Sequence, residues 1–189
     1  HIVRGEMHYL HASDGPKYLD LVNNVSHVGQ CNPHVVEAGQ KQMAILNTNS
    51  RYVYGGITDY LGRLSSTLPE SLTVGFLVNS GSEANELAVR LARSFTGNHD
   101  MAVIEGAYHG HTGMLIDLSP YKFRGPGGHG SPEAWVHVLP IPDTYRRPAI
   151  DYSGEAMEKM KQAGPLAGLL IESMLSCAGQ VSLPPGYFS

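Results

Sequence analysis

The chain has 189 residues, of which 42% are hydrophobic and 16% are charged. This composition is typical of a soluble globular protein and excludes a disordered one. The net charge of −4 includes no basic block, which argues against nucleic acid as a partner. The two cysteines, Cys31 and Cys177, are expected to be small buried residues in a reducing cytoplasm. No apolar run reaches the ~20 residues that cross a bilayer, so no membrane partner is expected.

The first part of the chain predicts a hairpin followed by two helices. Two short β-prone runs, 9–11 and 17–21, flank Asp14-Gly15, which is a strong turn signal. Asn32 and Pro33 are typical of a helix start, with Asn as the N-cap. A second helix is predicted from about residue 57 to residue 68, because Pro69 ends it.

From residue 73 onward the pattern alternates between strands and helices. Strands are predicted at 73–78, 101–104, 135–139 and 166–171, and helices at 83–95 and 154–163, the last capped by Ser153. Such alternation predicts an α/β fold with a parallel sheet. Four strands make a small sheet, so we expect the front part of a larger domain. The predicted organisation is an N-terminal hairpin and helix segment, 1–45, followed by the first part of a large domain, 46–189.

The junction at 76–85, which reads FLVNSGSEAN, changes from an apolar strand to a helix at Ser-Gly-Ser. One interpretation is a capping box, in which Ser80 caps the helix and Glu83 reaches back. The other is an anion site, because free backbone N–H groups and the positive end of the helix dipole meet there. The sequence alone leaves both interpretations open.

Two more groups follow predicted strands, where ligands of open α/β sheets bind. Tyr108 can stack on a planar ligand. His109 and His111 could both reach a metal, but no third ligand has a convincing spacing, so no metal is predicted. Glu172 is either a site carboxylate or a solvated strand end. A phosphate cradle, an aromatic ring and a carboxylate at three strand ends together fit a planar, phosphorylated cofactor.

Four segments resemble class III (ω-type) aminotransferases, which are pyridoxal 5'-phosphate enzymes of fold type I. They read YLDLVNNVSHVGQCNPHVVEA at 18–38, FLVNSGSEANELAVRLAR at 76–93, AYHGHTG at 107–113 and LLIESMLSCAGQVSLPPGYF at 169–188. Three others look similar to the phospholyase branch of that family, which acts on ethanolamine phosphate and phosphohydroxylysine. These are NTNSRYVY at 47–54, LSPYKFRG at 118–125 and WVHVLPIPDTYRRP at 135–148. Glu172-Ser173 points the same way, since ordinary members usually have Glu-Pro there.

The resemblance implies a role for particular residues. Gly81 and Ser82 would bind the cofactor phosphate, Tyr108 would stack on the pyridine ring, and His109 follows it in the motif. Glu172 would lie beside the cofactor as a catalytic residue. Arg51 would bind the phosphate of the substrate, although it could instead have a surface or subunit-contact role. Lys122 and Arg124, the two cations of the 118–125 segment, are weaker candidates for the same phosphate. Asn24 and His27 lie in a segment that approaches the active site in this family.

The resemblance also implies what the complete protein does. The expected reaction is elimination of phosphate and release of ammonia from a phosphorylated primary amine, in a homodimer with shared active sites. One alternative is an amine aminotransferase, and another is a non-catalytic module. The last stays open because none of the lysines, at positions 17, 41, 122, 159 and 161, lies in a segment that resembles the family's cofactor-binding lysine motif. We therefore expect this chain alone to be inactive.

Overall fold

The computed structural model describes residues 1–187, and the chain forms two compact units. The first unit is His1–Thr73, and the second begins at Val74. Phe188 and Ser189 lie outside the described residues. Phe188 is the last residue of the segment 169–188 that resembles the family, and Ser189 is the last residue of the predicted second domain. The domain division expected between residues 45 and 46 stays a prediction.

The first unit contains a three-stranded antiparallel sheet and two helices. The strands are β1 (Ile2–Glu6), β2 (Tyr9–Ala12) and β3 (Lys17–Leu19), in the order β1-β2-β3. The pairing of β2 with β3 confirms the predicted hairpin, whereas β1 was not predicted. The helices are α1 (Pro33–Ile45) and α2 (Gly55–Ser65).

The start of α1 is confirmed in atomic detail. Asn32 accepts a hydrogen bond from the backbone N–H of His34 at 3.1 Å, and Pro33 occupies the first turn. Neither α1 nor α2 contains a buried residue. Their apolar side chains therefore contribute little to a core within the described chain.

The second unit contains a parallel sheet with helices on both faces. Its strands are β4 (Asp100–Ile104), β5 (Val136–Leu139) and β6 (Leu166–Leu170), in the order β5-β4-β6. Its helices are α3 (Gly81–Thr96), α4 (Gly113–Asp117), α5 (Pro120–Phe123) and α6 (Tyr152–Ala163). Both β4 pairings are parallel, which confirms the predicted α/β fold.

The central strand β4 forms the core of this unit because neighbouring side chains point to opposite faces. Met101 and Val103 pack in one cluster with residues of α3 and α4. Ala102 and Ile104 pack in a second cluster with residues of α6. Burial on both faces explains why residues 101–104 of β4 are all apolar.

Three sequence expectations were wrong. Residues 73–78 form no strand in the described structure, because no neighbouring strand hydrogen-bonds to this segment. Helix α6 is capped by Asp151, whose carboxylate accepts from the N–H of Gly154 at 2.9 Å, rather than by Ser153. Cys31 and Cys177 are exposed instead of buried, since both lie in loops outside the two core clusters.

Candidate cofactor site

The site begins at the N-terminus of α3. Ser80 Oγ accepts from the N–H of Glu83 at 3.1 Å, and Glu83 Oε2 accepts from the N–H of Asn79 at 2.6 Å. The capping interpretation is therefore confirmed, although Glu83 reaches one residue further back than in the standard box. The N–H groups of Gly81 and Ser82 have no acceptor within residues 1–187. The cap thus leaves two donors at the positive end of the helix dipole for an anion.

A loop that follows β4 packs directly against this helix end. Ser82 Oγ accepts from the N–H of His111 at 3.3 Å, and Asn85 Nδ2 donates to the carbonyl of His109 at 2.8 Å. Because Ser82 Oγ accepts this bond, its own O–H is available for a phosphate oxygen. The helix end and the loop therefore form one structural unit.

Gly110 allows that close approach. Its φ is +145°, and a Cβ there would lie 2.6 Å from Leu115 Cδ1 and 2.8 Å from Ser82 Oγ. Only glycine adopts such a backbone with so little space. Neither Gly110 nor Asn85 was predicted as a site residue from the sequence. For Gly110 a signal exists, because a glycine between two histidines after a strand indicates a tight turn. At Gly81, by contrast, a Cβ would meet nothing within 4 Å, so the space in front of the helix is open.

Glu172, just past β6, joins two loops through backbone hydrogen bonds. Its Oε1 accepts from the N–H of Tyr108 at 2.8 Å. Its Oε2 accepts from the N–H of Ser176 at 2.7 Å and of Cys177 at 3.4 Å. The carboxylate thus holds Tyr108 in place across 64 residues of sequence. These contacts favour a positioning role, and the catalytic role expected for Glu172 stays a prediction.

His109 is the most buried polar residue of the loop, with 5% of its surface exposed. Its N–H donates to Ser119 Oγ at 2.9 Å, while its ring Nε2 has no hydrogen-bond partner in the described chain. Burial lowers the pKa of His109 below its ordinary value, and the nearby Glu172 charge opposes this shift in part. The buried Nε2 is therefore a polar atom that the described residues leave without a hydrogen-bond partner.

The ring of Tyr108 is half-buried and meets the edge of the Tyr121 ring at 6.3 Å between centroids. Lys122 Nζ lies 5.7 Å from the Tyr108 centroid and forms no ion pair among the described residues. Arg124 is already paired, with Nη1 2.6 Å from Glu105 Oε1. Lys122 and Arg124 line one cleft, together with Glu105, Gly106, Pro120, Tyr121, Gly125 and Pro126. Lys122 is therefore the cation beside the Tyr108 ring that has no carboxylate partner, because Glu105 pairs with Arg124.

Arg51 belongs to the first unit, in the loop between α1 and α2. It is exposed, and its Nε donates to Asn49 Oδ1 at 3.2 Å. Asn24 and His27 belong to the same unit, before α1. The structure therefore brings together Ser82, Tyr108, His109 and Glu172 within the second unit, whereas the predicted substrate role of Arg51 stays a prediction.

The fold and this site together define a partial fold type I pyridoxal-phosphate enzyme. The family model for "Aminotransferase class-III" matches residues 1–189, and the chain belongs to this family. Pyridoxal 5'-phosphate is the cofactor of this family, and its members include transaminases and phospholyases.

Two curated relatives illustrate the range of the family. The chain is 44% identical to the Drosophila melanogaster "Alanine--glyoxylate aminotransferase 2-like" protein over 202 residues, which covers 99% of the chain and 41% of the relative. It is 41% identical to the Caenorhabditis elegans "Ethanolamine-phosphate phospho-lyase homolog 1" over 209 residues, which covers 99% of the chain and 44% of the relative. The chain thus spans less than half the length of these relatives.

A solved structure supports the same fold. The phospholyase from Arthrobacter in complex with phosphoethanolamine superposes with a TM-score of 0.87 at 34% identity, covering 98% of this chain and 46% of that one. A PMP-bound aminotransferase from Vibrio fluvialis has a TM-score of 0.84 at 21% identity, which shows the shared fold alone. None of the helices in the described part of the chain is long and apolar enough to span a membrane.

Proposed function

We propose that this chain supplies the cofactor cradle of a pyridoxal-phosphate enzyme that releases phosphate and ammonia from a phosphorylated primary amine. The observation that carries the cradle is the pair of free N–H groups at Gly81 and Ser82. The side chains of Ser82 and Asn85 bind this helix end to the loop that contains Tyr108. Helix N-termini bind phosphate through such donors. The site residues fit the phosphate and the ring of the cofactor.

Each residue of the cradle has a distinct role in this proposal. Gly81 and Ser82 hold the cofactor phosphate, with the Ser82 hydroxyl as a third donor. Tyr108 stacks on the pyridine ring. The Glu172 carboxylate fixes the position of Tyr108 by accepting a hydrogen bond from the backbone N–H of Tyr108. His109 fixes the loop through its backbone, because its N–H donates to Ser119 Oγ and its carbonyl accepts from Asn85 Nδ2. The cofactor, when bound, supplies an electron sink for the carbon that carries the amine.

Elimination additionally requires a cation beside the departing phosphate. Arg51 is the first candidate, because a guanidinium matches phosphate oxygens with two parallel hydrogen bonds. Lys122 is the second, because its ammonium lies near the Tyr108 ring without a carboxylate partner. Substrate positioning decides between elimination and amino-group transfer, so these cations would favour elimination.

A class III amine aminotransferase is the second candidate function, supported by the 44% identity to a relative named as an aminotransferase. The complete protein that contains this chain would be loaded with pyridoxal 5'-phosphate and incubated with phosphoethanolamine without any keto acid. Release of inorganic phosphate and ammonia supports the phospholyase. Activity only after a keto acid is added, without free phosphate, supports the aminotransferase and contradicts our proposal.

Assembly and location are part of the same proposal. A homodimer with shared active sites is proposed by analogy with the family, and Arg51 would then serve the site of the partner. Gel filtration with light scattering tests the dimer, and a monomeric complete protein would contradict it. The cytoplasmic location expected from the sequence stays a prediction, which fluorescence microscopy of the tagged protein tests.

A further inference from the structure

A group of metal-binding side chains lies away from the cofactor cradle, between α4 and β5. Asp117 ends α4, His129 lies in the glycine-rich loop 125–130, and Glu133 lies three residues before β5. One carboxylate oxygen of Asp117, one of Glu133 and one ring nitrogen of His129 all lie within 4.8 Å of one another. The sequence pattern does not predict this group, because the spacing of its three residues matches no known metal-binding motif.

The two carboxylates lack a basic partner. No Lys or Arg among residues 1–187 lies within 4.0 Å of Asp117 or Glu133, whereas Asp143 and Glu105 each pair with an arginine. Two neighbouring carboxylates without a cation repel one another, and a divalent ion relieves that repulsion.

The imidazole is held in place by packing. The His129 ring stacks on Phe123 at 5.8 Å with an angle of 15°, and Phe123 is fully buried. The loop is fixed beside it, since the N–H of Gly130 donates to the carbonyl of Phe123 at 2.7 Å. Neither carboxylate lies within 4.0 Å of the His129 ring nitrogens, so no direct ion pair occupies them.

We propose that Asp117, His129 and Glu133 bind a divalent transition metal ion, with Zn²⁺ as the best fit. An imidazole with two carboxylates suits Zn²⁺ better than Mg²⁺ or Ca²⁺, which prefer oxygen ligands alone. Ligand atoms around Zn²⁺ at ~2.1 Å lie about 3.4 Å apart, so the side chains must approach by roughly 1 Å. Rotation of the exposed Glu133 side chain and a small shift of the partly exposed Asp117 side chain provide this movement, while the stacked imidazole stays in place.

Such an ion would tie the loop 125–130 to the end of α4. Gly125 and Pro126 of that loop also line the cleft that contains Lys122. The bound metal would therefore stabilise one wall of the cleft without contacting the cofactor cradle. This inference is independent of the proposed function, because it depends only on the three ligands.

The test titrates the full chain with ZnCl₂ in a weakly coordinating buffer, using isothermal calorimetry and a chromophoric chelator as competitor. Wild type is expected to bind one Zn²⁺ per chain, with MgCl₂ unable to displace it. His129→Gln and Asp117→Asn each remove a ligand and are expected to weaken binding about tenfold or more. His34→Gln and Asp59→Asn, at exposed helical positions of the first unit, are the matched controls.

These controls are needed because the chain has ten histidines, any of which can bind Zn²⁺ weakly. Circular dichroism of the metal-free variants shows whether they fold. If Asp117→Asn does not fold, the exposed Glu133→Gln replaces it. Equal affinities of His129→Gln and wild type, an equal loss in His34→Gln, or no stoichiometric site in wild type would each overturn the proposal.

Discussion

Glu172→Gln separates a positioning role of Glu172 from a catalytic one. The substitution keeps the shape of the side chain but replaces one carboxylate oxygen with an NH₂ group. The remaining oxygen is expected to face the N–H groups of Ser176 and Cys177, which leaves the amide NH₂ opposite the N–H of Tyr108. A hydrogen bond to a charged acceptor contributes about 1.5–3 kcal/mol, so we expect a loss of about 2 kcal/mol in the free energy of unfolding.

Circular dichroism monitors the thermal unfolding of the variant. A parallel titration measures binding of pyridoxal 5'-phosphate through the fluorescence of the cofactor. For a domain of this size, ~2 kcal/mol lowers the midpoint by roughly 4–8 °C. The control is Glu105→Gln, which also follows a strand but forms an exposed pair with Arg124, worth at most about 1 kcal/mol. An unchanged midpoint in Glu172→Gln, combined with strongly reduced turnover of the complete protein, would refute the positioning role.

Three further predictions concern the cradle, the substrate and pH. Ser82→Ala is expected to weaken binding of pyridoxal 5'-phosphate by about tenfold, the loss of one charge-assisted hydrogen bond, whereas Ser153→Ala leaves it unchanged in the same fluorescence titration. Arg51→Ala in the complete protein is expected to raise KM for phosphorylated amines far more than for unphosphorylated ones, and equal losses would exclude Arg51 as the phosphate ligand. Burial lowers the pKa of His109 in the folded state, so the unfolded state binds the proton first and stability is expected to fall as pH drops below 6.5. Urea unfolding of wild type and His109→Gln between pH 5 and 7 tests this, and an equal pH slope in both would contradict it.

Local signals predicted most of the elements correctly. The Asp-Gly turn identified the hairpin of β2 and β3, and Asn32 and Pro33 identified the start of α1. The apolar run 101–104 predicted a strand, and β4 contains it. These features depend on neighbours within a few residues, so a single sequence contains enough information for them.

Features that depend on distant partners were predictable only in part. The segment 73–78 has the composition of a strand, but a strand exists only where another one pairs with it. The closeness of Tyr108 and Glu172 was expected because both follow parallel strands. Their direct hydrogen bond, and the requirement for Gly110, depend on loop conformations that no spacing rule specifies.

The apolar segment before α3, residues 74–78, also affects the behaviour of the chain in solution. Val74 and Phe76 expose 77% and 60% of their surfaces, and Leu77 and Val78 continue the same run. Unpaired backbone groups flanked by β-prone side chains act as a template for intermolecular strand addition. Self-association of this chain should therefore increase with concentration, beginning at residues 74–78.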